Sequence, residues 1–153
     1  GKETLLDLYC GIGTIGLSMA DKVKKLIGIE IVPEAVECAK RNAKLNGTEN
    51  AEFYCGDASG AEAILSGLTV IPDVVVLDPP RKGSTPELIG YIAGLGIRKV
   101  VYISCDVDTL ARDCVLFRSL GYNIGEVTPV DMFSRTGHVE CVCLISKGSK
   151  ETI

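Results

Sequence analysis

The sequence predicts an α/β fold built on a doubly wound, mostly parallel sheet, and three observations carry that prediction. Short apolar runs alternate with amphipathic helical stretches through the first two thirds of the chain, as parallel strands joined by crossover helices require. A glycine-rich turn, Tyr9-Cys10-Gly11-Ile12-Gly13, follows the first run directly. The last third changes character: two extended runs stand there with no helix of comparable length between them, which predicts an antiparallel pair at one side of the sheet.

Taken in order, strands are expected near Leu5 to Tyr9, Lys25 to Glu30, Ala51 to Cys55, Val74 to Asp78 and Lys99 to Ser104. Between the second and third, Pro33 to Asn46 carries Ala35, Val36, Ala39, Ala43 and Leu45 at helical spacing, with Pro33 suited to a first turn and Gly47 to a stop. Thr109 to Leu120 reads as a second helix closed by Gly121. Tyr122 to Val130 and His138 to Ser146 are the final extended runs, and Lys147 to Ile153 reads as a loose tail.

With 153 residues, 46% of them hydrophobic, the chain suits one domain with one core, expected over 1–146. It starts almost inside a strand, at Gly1, so a portion of a longer protein is expected. The net charge of −4 argues against broad adhesion to phosphate backbones. Even so, Arg81, Lys82, Arg112 and Arg135 fall in or beside the motif loops, which predicts positive charge gathered at one edge. No apolar run is long enough to span a bilayer and no basic-then-apolar leader opens the chain, so no membrane association and a cytoplasmic location are expected. Seven cysteines without Cys-x-x-Cys spacing argue against a disulfide framework. Most are expected to be small buried hydrophobes.

Gly11, Gly13 and Gly16 form a GxGxxG run after a strand and before a helix, and Glu30 closes the next strand. Glycines let the backbone pass close to a ligand, and a carboxylate at that place accepts hydrogen bonds from ribose hydroxyls. NAD and S-adenosylmethionine both present such a ribose, and the motif alone does not choose between them. Asp57, after the third strand, is a candidate acceptor for an adenine amino group at the same sheet edge.

Val74 to Leu77 is a buried strand ending in Asp78, after which Pro79 and Pro80 stiffen the loop that carries Arg81, Lys82 and Gly83. Such a loop suits Asp78 and Arg81 to a bound base. Carbon 5 of a pyrimidine is a poor nucleophile until something adds to carbon 6, and a thiolate is the side chain best suited to that addition. Cys105, where a strand ends and a helix begins, is placed for it. A base must afterwards remove the carbon-5 proton, and Glu140 is the candidate. His138 and Glu140, two apart on an extended run, share a face, with His138 expected to orient or stack on the base. Cys141 and Cys143 lack partners at metal-ligand spacing, so no metal site is expected.

With these pieces in order the chain resembles the catalytic domain of the RNA uracil-5-methyltransferase family, S-adenosylmethionine-dependent enzymes that make 5-methyluridine in transfer or ribosomal RNA. The resemblance rests on Asp7-Leu8-Tyr9-Cys10-Gly11-Ile12-Gly13-Thr14, Gly28-Ile29-Glu30, and Leu77-Asp78-Pro79-Pro80-Arg81-Lys82-Gly83. It extends through Ser104-Cys105 with Thr109-Leu110-Ala111-Arg112-Asp113, and Asp131-Met132-Phe133 with Thr136 and His138-Val139-Glu140. It implies a seven-stranded class I methyltransferase sheet whose last strand is antiparallel. It also implies Tyr9, Gly11, Gly13, Glu30, Asp57 and Asp78 at S-adenosylmethionine, Cys105 as nucleophile with Glu140 as base and Asp78 between cofactor and uracil, and Arg81, Arg112 and His138 toward an RNA uridine. Members typically carry an N-terminal RNA-binding barrel, in many cases with an iron–sulfur cluster, and the matched stretches contain neither. Two departures stand out. Asp106-Val107 replaces the usual Asn-Pro after the cysteine, setting a carboxylate beside Cys105 that disfavours the thiolate unless Arg81 or Arg112 neutralises it. Ser134 stands where the family favours Pro. Three alternatives stay open on the sequence: an NAD-dependent oxidoreductase, an adenine amino-methyltransferase and an inactive cofactor-binding module.

Overall fold

Parallel pairing organises the first half of the chain and antiparallel pairing the second. The structure, a computed structural model, describes residues 1–132, 134–137 and 139–148 and divides into two units, Gly1–Asp78 and Pro79–Ile153. The first holds β1 (Thr4–Leu8), α1 (Thr14–Ser18), β2 (Lys25–Glu30), α2 (Pro33–Leu45), β3 (Ala51–Cys55), α3 (Ala61–Leu68) and β4 (Val74–Leu77). The second holds α4 (Pro86–Gly94), β5 (Lys99–Ser104), α5 (Val107–Ser119), β6 (Tyr122–Val130) and β7 (Glu140–Lys147). The strands follow the order β3-β2-β1-β4-β5-β7-β6, so the expected seven-stranded mixed α/β sheet is present, with β7 reversed.

In the first unit β1 pairs in parallel with β2 and with β4, and β2 with β3. Central strands are covered on both faces: Leu6, Leu8, Leu26, Ile27, Ile29, Val75, Val76 and Leu77 are all buried. Each such side chain contributes about 1.5–3 kcal/mol on burial, which is why these strands read as continuous apolar runs. α2 ends as its sequence predicts, with Asn46 at the C-cap and Gly47 at φ 64.

In the second unit β5 and β7 pair antiparallel, as do β7 and β6, with a bulge in β6 between Ile124 and Val127. β6 pairs only with β7 among the described residues and is largely exposed. The α5 helix lays Leu110, Asp113 and Phe117 against this sheet, where the Phe117 ring meets Tyr122 edge-on at 5.4 Å. It begins at Val107, two residues before the predicted start, because Asp106 caps it. The tail expected from Lys147 is shorter, since Lys147 belongs to β7; Ser149 to Ile153 lie outside the described residues. Cys10, Cys141 and Cys143 are buried, whereas Cys38, Cys105 and Cys114 are half-buried and Cys55 is exposed, so fewer cysteines serve the core than composition suggests. Among the described residues no helix is long and apolar enough to cross a membrane.

Candidate active site

In the first unit the chain runs from β1 to β2 to β3 on one side and then returns to β4 on the other side of β1. The strand order reverses there, and in open α/β sheets ligands bind outside the carboxyl ends of the strands at such a point. Tyr9, Gly11 and Gly13 follow β1, Glu30 closes β2, and Asp78 follows β4.

The glycine loop is a turn closed by Gly13 N donating to Cys10 O at 2.8 Å. Gly11 sits at φ 54 with open space where a Cβ would point, so the backbone is bare toward a ligand. Tyr9 adopts φ 63, a left-handed conformation costing a bulky residue about 1–2 kcal/mol; such strain concentrates at binding sites. Glu30 ties this loop to β2. Its Oε2 accepts from Gly11 N and its Oε1 from Val32 N, both at 3.0 Å. A carboxylate held by one donor on each oxygen keeps lone-pair capacity on both, as a pair of vicinal hydroxyls requires. Asp57, expected at the adenine, is exposed and caps the turn Ala58–Gly60, accepting from Ser59 N at 2.8 Å and Ser59 Oγ at 2.7 Å.

Asp7 received no role from sequence reasoning beyond its place in the motif. It lies inside β1, wholly buried, with Oδ2 accepting from Gly16 N at 2.9 Å and Oδ1 without a hydrogen-bond partner. Burial pushes its carboxyl up to about 7 against the opposing pull of the Gly16 bond, and the nearby Asp78 charge raises it further. Beside it, burial and the charges of Asp7 and Glu30 push the Cys10 thiol up to about 12, so this cysteine stays protonated and packs.

In the second unit, Cys105 is half-buried just past the end of β5. Ser104 pairs with Cys141 across the β5–β7 ladder, so Cys105 follows one partner directly and Glu140 directly precedes the other. The sequence departure at Asp106-Val107 has a local explanation. Asp106 is the N-cap of α5, its Oδ1 accepting from Thr109 N at 3.0 Å, and Val107 takes the N1 position. Asn and Asp cap helices about equally well, and proline at N1 only pre-sets a torsion that valine also adopts. The carboxylate is thus turned into the helix. Its bond from Thr109 holds it below the usual carboxylate range, with the Arg81 charge a smaller contribution.

Arg81 and Lys82 are exposed, as are Arg112 and Arg135. Arg112 is nevertheless engaged within the protein. Its Nη2 donates to Lys82 O at 2.9 Å and Ser84 O at 3.1 Å, and its Nε to Asp113 Oδ1 at 2.8 Å. Asp113, Tyr102 and Ser84, all buried, complete this cluster; Asp113 stood in a matched stretch, but sequence reasoning assigned none of the three a role. The available signal was a carboxylate on the buried stripe Leu110, Asp113, Phe117 of α5. His138 and Phe133 lie outside the described residues.

Comparison with known proteins gives this geometry a context. Residues 1–78 match the family model described as a methyltransferase domain, and residues 68–148 match the one described as tRNA (uracil-5-)-methyltransferase. An uncharacterized RNA methyltransferase of Clostridium acetobutylicum is 49% identical over 150 residues, covering 98% of this chain and 33% of the relative. One from Bacillus cereus is 51% identical over 150 residues, with the same coverage of 98% and 33%. The solved tRNA (uracil-54, C5)-methyltransferase of Pyrococcus abyssi, in complex with S-adenosyl-L-homocysteine, superposes with a TM-score of 0.80 at 33% identity, covering 95% of this chain and 34% of that one. The chain therefore spans about a third of the length of the curated relatives it matches. The NAD oxidoreductase alternative finds no support in any of these matches. From the glycine loop to the start of β7, the sheet is that of S-adenosylmethionine-dependent methyltransferases, and the chain belongs to the tRNA (uracil-5-)-methyltransferase family.

Proposed function

We propose that this chain is the catalytic domain of a longer, cytoplasmic RNA methyltransferase that transfers a methyl group from S-adenosylmethionine to carbon 5 of a uridine in tRNA or rRNA. The observation that supports it most directly is the β5–β7 register, in which the neighbours of Cys105 and Glu140 are each other's partners. Adjacent backbone positions suit a nucleophile and a base that act on adjacent carbons of one ring.

The first unit suits the cofactor. Glu30 offers two oriented carboxylate oxygens to a ribose diol, the space over Gly11 is open, and Tyr9 and Asp78 follow β1 and β4 at the same sheet edge, with Asp57 following β3. When bound, S-adenosylmethionine supplies an electrophilic methyl group to a carbon that the protein has made nucleophilic. Cys105 makes it so: its thiolate adds to carbon 6, and the displaced π pair leaves carbon 5 enolate-like. Glu140 then takes the carbon-5 proton; the released pair re-forms the ring double bond and expels the thiolate. In this reading Arg81 is an RNA contact, and the role expected of His138 is toward the same uridine.

The test is intact mass of the full-length protein after incubation with S-adenosylmethionine and 5-fluorouridine-substituted tRNA and rRNA transcripts. Fluorine cannot leave as a proton, so the adduct persists. An RNA-sized mass increase that maps to Cys105 and is lost in Cys105→Ala is expected. No adduct from folded, cofactor-binding protein overturns the assignment.

A further inference from the structure

The loop after β4 begins with Pro79 and Pro80, which donate no backbone hydrogen bonds, and among the described residues it is knitted internally by a turn bond from Gly83 N to Pro80 O at 2.8 Å. Backbone groups outside helices and strands must be paired elsewhere, and here α5 pairs them one after another. Thr109 Oγ1 donates to Arg81 O at 3.1 Å, and Arg112 Nη2 to Lys82 O and Ser84 O. Asp113 Oδ2 accepts from Ser84 N at 2.8 Å and from Tyr102 Oη at 2.5 Å, while its Oδ1 accepts from Arg112. The fit is close: Gly83 is at φ 74, and a Cβ there would stand 2.6 Å from Arg112 Nη2 and 2.7 Å from Asp113 Oδ2.

A buried carboxylate is a poor choice for packing, since its desolvation costs several kcal/mol unless it is fully paired. Asp113 is 2% exposed and sits between Leu110 and Phe117, where an apolar side chain would serve the core as well. What an apolar side chain could not do is hold Ser84 N and orient Arg112 onto two carbonyls. Tyr102, kept protonated by burial and by Asp113, belongs to β5, the strand that leads into Cys105.

We infer that Asp113, Arg112 and Tyr102 form a latch that fixes the Arg81–Ser84 loop to the helix starting two residues after Cys105, and that they are positioning residues for methyl transfer. The inference rests on the reading of Cys105 as nucleophile. It reassigns Arg112 from RNA contact to internal clamp and leaves the exposed Arg81 and Lys82, on a rigid backbone, to meet the RNA.

The experiment compares Tyr102→Phe, Arg112→Lys, Arg112→Ala and Asp113→Asn in the full-length protein. It measures steady-state methylation of tRNA and rRNA transcripts, the 5-fluorouridine trapping rate at Cys105, S-adenosylhomocysteine affinity and melting temperature. Displacing reacting groups by about 1 Å costs on the order of a hundredfold in rate. The expected result is therefore a loss in kcat and trapping rate of about ten- to a hundredfold in Arg112→Ala and Asp113→Asn, with RNA KM and cofactor affinity nearly unchanged. Tyr102→Phe and Arg112→Lys are mild enough to fold should Asp113→Asn not, and they are expected to show the same split in smaller measure. If Arg112→Ala instead raises the RNA KM at unchanged kcat and flattens the salt dependence, Arg112 is a phosphate contact and the latch is refuted. Folded variants that trap as fast as wild type refute it too. A wild-type protein that never forms the adduct overturns the nucleophile assignment, and the latch with it.

Discussion

Replacing Asp7 by Asn is expected to change the pH dependence of stability in a defined direction. In the unfolded chain this carboxyl titrates near 3.8, whereas in the fold burial moves it to about 7. The folded state therefore holds a proton that the unfolded state has lost between those values, and stability contributed by this group falls as pH rises from about 4 to about 7. Above that range both states are ionised and the loss is complete. At about 1.4 kcal/mol for each tenfold change in proton affinity, the separation of 3.8 from about 7 corresponds to about 4 kcal/mol. Asp7 is wholly buried, so solvent screening does little to reduce this. An asparagine can still accept from Gly16 N but does not titrate. Its amide hydrogens, at the site of the unpartnered Oδ1, impose a pH-independent penalty of about 1–3 kcal/mol. The informative quantity is thus the difference between variant and wild type as a function of pH, from urea unfolding followed by far-UV circular dichroism. That difference is expected to move in favour of Asn by up to about 4 kcal/mol between pH 4 and pH 8. A difference that stays flat, or that moves toward the aspartate, refutes the reasoning.

Val107→Pro is expected to raise stability by about 0.4–1 kcal/mol, because N1 tolerates proline and Asp106 at φ −139, ψ 115 already has the conformation that precedes it; a lower melting temperature would contradict this. Glu30→Gln is expected to weaken S-adenosylhomocysteine binding by about tenfold or more, since hydrogen bonds to a charged acceptor contribute about 1.5–3 kcal/mol, and isothermal titration measures it.

Much of the sheet was legible because its signals are local. The limits of β2, β3, β5 and β6 agree with expectation residue for residue; β4 stops one residue before Asp78, and β1 lies one residue ahead of expectation, at Thr4–Leu8, because Tyr9 leaves the strand at φ 63. The helices for which sequence reasoning set no bounds had, for the most part, weaker local signals. α1 has five residues, too few for a period, and α3 contains Gly67 in its last turn. α4 was readable in principle, from the Thr85 cap, Pro86 at N1 and the buried Leu88, Ile89 and Ile92. At the site, the glycine loop and Glu30 were legible as a short motif. The Ser84, Tyr102 and Asp113 cluster joins residues 18 and 29 positions apart, and no local pattern announces such a bond. Asp7 was legible as a letter in a motif, but its unpaired oxygen is a property of the packed fold.

The bulge in β6 bears on how this protein avoids its own kind. A long, flat, exposed edge strand offers a row of unpaired amides and carbonyls on which another copy can pair, the first step toward aggregation. β6 is such an edge among the described strands, nine residues long and exposed over most of them, with Val127 and Val130 at the surface. The irregularity between Ile124 and Val127 breaks its register, and Pro129 removes one donor near its end. Straightening the strand by deleting one bulge residue, or replacing Pro129 by valine, would restore a continuous template and favour self-association at high concentration, even with every residue of the active site in place.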